Sequence, residues 1–483
     1  MNIVADLREN NGSAASRSTS QLGEQVITVS NPYTGKVIGT VPRAGRKEVD
    51  VALELAVRGT AIARKMPSAQ RAAILTGAAA DIASRADAFS RCIVEESGKT
   101  IRQARKEVLR CVNTLTLCAE EAKRLAGETI PFASFAGSEN RQGYYQRDPL
   151  GLIVGITPYN DPLNLAAHKV GPALASGNAI VLKPAELAPF SSIMLAEALA
   201  RAGLPEGIFQ VLTGDAETGS ALVSARNVRM VSFTGGTRTA QIIAREAGLK
   251  RLAMDLGGNA PVIVMPDCNL EMAVESCVSG AFWAAGQNCI GTQRIIVLDE
   301  VYDRFLEKFV AQTRALVCGD PMDERTDVGP MITESAAQRT LEWIRDATRE
   351  GAVVETGGMV DRTLFQPTVL TSVSRTSCVR TEEAFAPVVL IDRISSFDDA
   401  IAEANQPESM LHAGIFTSNL EVALSAIDRL EAAGVMINDS SDYRFDAMPF
   451  GGYKFGSLGR EGVRFAIQEM TQPKVICFNR APK

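Results

Sequence analysis

The sequence predicts an α/β protein made of two parallel-sheet domains and a short β arm. From residue 151, short apolar runs alternate with helical stretches of about a dozen residues, the rhythm of βαβ units. A second such series begins near residue 260. Before the first series, residues 127–150 switch to Gly, Pro, Ser and aromatic residues. Crossovers of this kind favour parallel sheets with helices on both faces.

The elements follow in order. Residues 1–22 place Asp6, Arg8 and Glu9 early, then Ser, Asn and Ala, and have no apolar stretch of the secretory type. A mobile tail is expected there. Residues 46–126 carry apolar residues at helical spacing among Ala, Glu, Lys and Arg, and Pro67 breaks the run at a helix start. Alternation around Tyr144 and Tyr145 predicts an edge hairpin or arm. Strands are predicted at 151–156, 179–182, 208–212 and 230–233. The second series offers a strand at 261–264, a helix at 270–285 and a strand at 294–298, with further elements to near 440. A last strand is predicted at 475–478. The expected domains are thus 23–126 with 147–255, then 256–452, and an arm of 127–146 with 465–483.

Composition narrows the chemistry. A chain of 483 residues exceeds one simple core. Its net charge of -6 gives nucleic acid or an anionic membrane no attraction, and no apolar run approaches a membrane span. Nine cysteines are scattered without a CxxC, which fits reduced thiols and a cytoplasmic location. The two histidines, His168 and His412, are too few for a multi-imidazole site, so no metal is expected and a His-activated nucleophile is disfavoured. Ser97-Gly98-Lys99-Thr100 resembles the end of a phosphate loop, but Ile93 stands where that motif needs glycine.

Three positions carry chemistry. Cys289, in Gly286-Gln287-Asn288-Cys289, lies in a loop after a predicted helix. Its thiolate needs backbone N–H groups or a helix N-terminus, because an ordinary thiol is mostly protonated near neutrality. Asn160, in Thr157-Pro158-Tyr159-Asn160-Asp161-Pro162, follows the first strand, at the ligand-binding end of such a sheet. Asp255 precedes Leu256-Gly257-Gly258. A thiol, an amide donor and an acid are the parts of acyl chemistry through a thioester. The bland readings are a small buried hydrophobe at Cys289, a turn residue at Asn160 and a turn-fixing acid at Asp255.

Seven motifs occur in order: Thr157-Pro158-Tyr159-Asn160, Lys183-Pro184-Ala185-Glu186, Phe233-Thr234-Gly235-Gly236, Leu256-Gly257-Gly258-Asn259, Gly286-Gln287-Asn288-Cys289, Glu382-Glu383-Ala384-Phe385-Ala386-Pro387 and Pro449-Phe450-Gly451-Gly452. The set resembles the aldehyde dehydrogenase superfamily, from about Asn31 to Phe478. In detail it resembles the branch with lactaldehyde, non-phosphorylating glyceraldehyde-3-phosphate and phosphonoacetaldehyde dehydrogenases.

The resemblance implies a Rossmann-like dinucleotide-binding domain, a catalytic domain and an oligomerisation arm forming a homodimer or homotetramer. It implies that Cys289 attacks an aldehyde carbonyl while Asn160 and the Cys289 N–H hold the oxyanion. Losing one such donor costs about 3 kcal/mol of barrier. Hydride then passes to a nicotinamide, and water hydrolyses the thioester. The family has Glu before Leu-Gly-Gly as the base for that water; Asp255 is shorter by about 1.5 Å. Slow hydrolysis would favour a thiol acceptor such as coenzyme A. Lys183 and Glu186 are implied at the adenosine ribose. The Glu186 charge repels a 2′-phosphate, which argues for NAD over NADP. Gly235 and Gly236 are implied at the pyrophosphate, beside a helix N-terminus. Glu383 and Phe385 are implied at the nicotinamide ribose.

Substrate residues are implied as well. Arg110 and Arg444 match arginines that members with anionic substrates use, and guanidinium groups grip such anions bidentately. Asn288 replaces an arginine found before the nucleophile in phosphate-binding members. Asp161 stands where those members carry Tyr or His, and repels a strong anion unless Arg110 pairs with it. A small aldehyde, modestly charged or hydroxylated, is expected. Surface or inter-subunit ion pairs are the alternative for both arginines. Two rival functions are a coenzyme A-acylating semialdehyde dehydrogenase and a catalytically silent member of the fold.

Overall fold

Helices α1 (Arg46–Lys65), α2 (Ser68–Ser84), α3 (Ala86–Ser97) and α4 (Ile101–Ala122) precede the first sheet of the computed structural model, which describes residues 25–480. The predicted tail lies outside the described residues. Pro67 is the residue directly before α2. Thr100 starts α4 through a capping box with Gln103, so the Lys99 main chain enters the helix at a defined angle. Ala104, Val108, Cys111, Leu115 and Cys118 repeat at helical spacing and bury that face of α4.

The first sheet is built from β1 (Leu152–Ile156), β2 (Ala179–Lys183), β3 (Phe209–Val211), β4 (Met230–Thr234) and β5 (Arg251–Asp255). They run parallel in the order β5-β4-β1-β2-β3, with a short antiparallel strand, Ser457–Leu458, beside β5. Helices α5 (Asn164–Ala175), α6 (Phe190–Arg201), α7 (Ala216–Ser224) and α8 (Thr237–Ala247) make the crossovers. Every residue of β2 and β4 is buried, which is why these strands read as apolar runs rather than alternations.

The second sheet has β6 (Ala260–Val264), β7 (Thr292–Leu298), β8 (Val353–Thr356), β9 (Thr368–Thr371), β10 (Val388–Ile394), β11 (His412–Phe416) and β12 (Gly434–Ile437). Their order is β8-β9-β10-β7-β6-β11-β12, parallel except at the β8 edge. The arm is a three-stranded antiparallel sheet of Glu128–Ile130, Arg141–Pro149 and Thr471–Asn479.

Two local differences from the sequence reading matter. The helix predicted over 270–285 is α9 (Leu270–Phe282) and stops early. Ala284 and Ala285 then take left-handed backbone, at φ 50 and 54, and swing Gly286–Cys289 off the helix axis. The arm also starts later than 465. Helix Val463–Glu469 buries Val463 and Ile467 in the first core, and the arm strand begins at Thr471.

Candidate active site

The cysteine loop is held from several sides. The Gln287 side chain accepts the Ile332 N–H at 2.9 Å and donates to the Ala284 carbonyl at 3.2 Å. Asn288 closes a turn, its Oδ1 accepting the Ile290 N–H at 3.3 Å. Asn288 is therefore used by its own loop. Asn160 Nδ2 donates to the Gln287 carbonyl at 3.0 Å, which brings the predicted amide donor to the main chain two residues before the cysteine.

Cys289 is partly exposed and packs against Ile290, Leu411 and Phe450. Burial pushes its thiol up to about 12, with the Arg444 charge the largest opposing influence. The sequence reading asked for backbone N–H groups or a helix N-terminus beside this sulfur. Cys289 sits in a turn that leads into β7, and burial favours its protonated form.

Two glycines let a second loop close over this one. A Cβ on Gly286 would lie 2.0 Å from the Ala386 carbonyl oxygen, and one on Gly257 would lie 1.9 Å from Glu383 Oε2. Glu383 is thereby seated against the Gly258 N–H at 3.4 Å, and burial raises its carboxyl to about 7. Phe385 meets Tyr159 edge-on at 5.9 Å between ring centroids. The loops bearing Asn160, Cys289 and Glu383 thus converge.

Behind them lies a buried charge network. Asp255 ends β5, and its Oδ1 has no hydrogen-bond partner among the described residues. Glu461 receives Lys169 at 3.1 Å, Arg444 at 3.0 Å and the Thr234 hydroxyl at 2.9 Å. Burial and then the neighbouring Glu461 charge raise Asp255 well above the usual carboxylate range. Burial works against the Glu461 charge too, but Lys169 and Arg444 hold that group well below its ordinary value. The surroundings thus favour the neutral form of Asp255 and the ionised form of Glu461. The Arg444 guanidinium also stacks 3.6 Å from the Phe450 ring centroid.

A second network surrounds Asp161. One of its oxygens meets Lys99, and the other accepts from Arg110 at 3.3 Å. Arg110 also reaches Asp446 at 3.0 Å, and Lys99 reaches Glu107 at 2.7 Å. Glu107 further accepts the Leu163 and Asn164 N–H groups, at 2.9 and 3.2 Å. Arg110 and Arg444 are therefore both paired within the chain, the Arg444 side chain buried and Arg110 partly exposed. Each keeps a buried Nε without a partner among the described residues.

The positions implied at a dinucleotide lie along the carboxyl edge of the first sheet. Lys183 ends β2, buried, with its Nζ donating to the Pro184 carbonyl at 3.2 Å; Glu186 is exposed just beyond. Gly235 N donates to the Asp255 carbonyl at 3.1 Å. Gly236 precedes α8, whose start has no side-chain cap, and a Cβ there would meet nothing within 4 Å. An uncapped helix start with open space suits a pyrophosphate.

Sequence reasoning missed Lys169, Glu461, Lys99 and Asp446. A signal existed for one of them. Lys169 is a cation in a helix whose every residue is buried, and such a charge demands a partner. Its partner is 292 residues away, so the pairing itself was invisible.

A family model for the aldehyde dehydrogenase family matches residues 18–476. Aspartate-semialdehyde dehydrogenase 1 of Pseudomonas canavaninivorans is 59% identical over 456 residues, 94% of this chain and 97% of that protein. Aldehyde dehydrogenase 21 of Physcomitrella patens, solved with the reaction product succinate, superposes with a TM-score of 0.92 at 37% identity, covering 94% of this chain and 95% of that one. A glyceraldehyde-3-phosphate dehydrogenase of Methanocaldococcus jannaschii, solved with NADP, has a TM-score of 0.91 at 38% identity, covering 95% and 100%. Likeness of this extent in sequence and in fold carries one conclusion: the chain belongs to the aldehyde dehydrogenase family.

Proposed function

We propose that this aldehyde dehydrogenase oxidises a small aldehyde with a carboxylate or hydroxyl substituent to the corresponding acid, with NAD as the cofactor. The observation that carries this reading is the bond from Asn160 to the Gln287 carbonyl, which gathers an amide donor and a thiol around one point.

Cys289 Sγ forms the C–S bond to the carbonyl carbon, and the oxygen becomes an oxyanion held by Asn160 Nδ2 and the Cys289 N–H. The thiol proton leaves in that step. It passes to solvent water at the partly exposed Cys289. When bound, the nicotinamide supplies the acceptor for the hydride of the former aldehyde carbon. Glu383 and Phe385 orient its ribose, Lys183 and Glu186 hold the adenosine ribose, and Gly235 and Gly236 leave room for the pyrophosphate. The exposed Glu186 charge favours NAD over NADP. Water then attacks the thioester, releasing the acid and the Cys289 thiol.

Two relatives bear on the substrate. One is named for aspartate semialdehyde and one was solved with succinate. Both molecules are small and carry a carboxylate, which the positive charge of Arg444 beside Cys289 would suit. The exposed Tyr144, Val475 and Phe478 of the arm support pairing with a second subunit, as a dimer or a dimer of dimers. Nine free thiols support a reducing, cytoplasmic setting.

One observation favours a second reading. A neutral Asp255 is a poor base for water, and a slow hydrolytic step would suit coenzyme A as acceptor. A panel of hydroxy, carboxy, phosphono and neutral aldehydes, scored by NADH formation, separates the two. Steady turnover without coenzyme A, abolished in Cys289→Ala, is expected. A lone NADH burst that becomes turnover only with coenzyme A would replace hydrolysis by acylation. Turnover that survives in Cys289→Ala would remove the mechanism altogether.

A further inference from the structure

Asp161 follows the oxyanion residue Asn160 directly, with Cα atoms about 3.8 Å apart, and its side chain is partly exposed there. Its surroundings do not balance it. Lys99 is neutralised by Glu107 at 2.7 Å, and Arg110 by Asp446 at 3.0 Å. Two cations thus face three carboxylates, and Asp161, which touches both cations, is the most exposed of the three. His168 contributes no positive charge, because burial lowers its pKa below the ordinary value. It serves Asp446 as a hydrogen-bond partner at 3.0 Å, and Asn164 adds another at 3.2 Å.

The excess negative charge has one outlet. The side chains of Lys99, Glu107 and Asp446 are 4%, 1% and 6% exposed, whereas Asp161 and Arg110 are 23% and 30% exposed. The network therefore presents Asp161 to whatever occupies the cleft beside Asn160. A net negative wall there disfavours a carboxylate and favours a cation. The neighbouring network differs in sign, since Lys169 and Arg444 face one ionised group, Glu461. The cleft thus has poles of opposite charge.

We infer that Asp161 is a specificity-determining residue that seats a substrate ammonium group, which makes the preferred substrate a short amino-acid semialdehyde. The ammonium sits within two or three carbons of the aldehyde, against Asp161, and the carboxylate lies toward the opposite pole, at Arg444. This rests on the proposed oxidation and adds a substrate class and a residue to it. A role confined to neutralising Lys99 is already filled by Glu107.

Aspartate semialdehyde and succinate semialdehyde differ by the ammonium group alone and form the test pair. Wild type is expected to favour the amino substrate in kcat/KM. Asp161→Asn should lower that preference roughly 10- to 100-fold, mostly through KM, and Asp161→Glu should restore part of it. Binding of the two product acids, aspartate and succinate, read by calorimetry, gives the same comparison without turnover. Aspartate should bind the tighter, and Asp161→Asn should erase the difference. Equal losses on both substrates in Asp161→Asn, or no wild-type preference in either measurement, overturn the inference while leaving aldehyde oxidation standing. An intact aspartate preference in binding, with neither aldehyde oxidised, supports Asp161 and sinks the proposed reaction instead.

Discussion

Lys169 of α5 and Glu461, ahead of helix Val463–Glu469, form an ion pair at 3.1 Å in the interior of the first sheet's carboxyl edge. Both side chains are buried. Removing one partner leaves a charge in low dielectric, at a cost of about 3 kcal/mol or more. Lys169→Met should therefore lower the melting temperature, read at one fixed scan rate because a chain of this size need not unfold reversibly. Lys169→Met with Glu461→Gln should lose less than the sum of the two single changes. Additive losses would mean that the two side chains are not coupled.

The raised thiol of Cys289 sets a pH dependence. With its pKa pushed up to about 12, the thiolate fraction grows about tenfold per pH unit through the neutral and mildly alkaline range. Alkylation at Cys289, followed by peptide mass spectrometry, should climb from pH 7 to 10 without levelling. Arg444→Met removes the largest favourable charge and should slow alkylation at each pH. A plateau near pH 8 would contradict both statements. The folded protein also holds this proton more tightly than the unfolded chain does. Its contribution to stability is therefore complete below the ordinary thiol pKa of about 8.5 and fades as pH rises toward 12.

Gly286 and Gly236 make a matched pair of glycines. At Gly286, φ is +67 and a Cβ would strike the Ala386 carbonyl at 2.0 Å. Gly286→Ala should cost about 2 kcal/mol or more and lower the melting temperature. At Gly236 the backbone suits any residue and a Cβ meets open space. Gly236→Ala should fold normally and raise the KM for NAD. Thermal scans and NAD titrations check both; an unchanged NAD response would remove Gly236 from the pyrophosphate site.

Glu186 offers a test of cofactor choice. Glu186→Ser removes a negative charge from the end of β2, where the adenosine ribose is proposed to bind. The NADP-to-NAD ratio of kcat/KM should rise up to roughly tenfold, since opposed like charges at an exposed site cost about 1 kcal/mol. A ratio that stays constant would assign the preference to other residues.

Much of this protein was legible in one dimension. Fully buried parallel strands must be apolar runs, so β1, β2, β4 and β6 announced themselves, and the motifs around Cys289, Asn160 and Glu383 identified the family. The helix end at Phe282 was misread because Ala284 and Ala285, good helix formers, are forced into left-handed backbone by the loops they join. Charge state was the other hidden quantity. Asp255 reads as a base or a turn-fixing acid, and burial beside Glu461 favours its neutral form. Arg110 reads as an anion site or an ion-pair partner, and the structure pairs it with Asp161, the partner the sequence offered, and with Asp446. Residue type and local spacing depend on neighbours in the chain, and the sequence lists those. Desolvation and ion pairing depend on groups hundreds of residues apart, and folding alone brought them together.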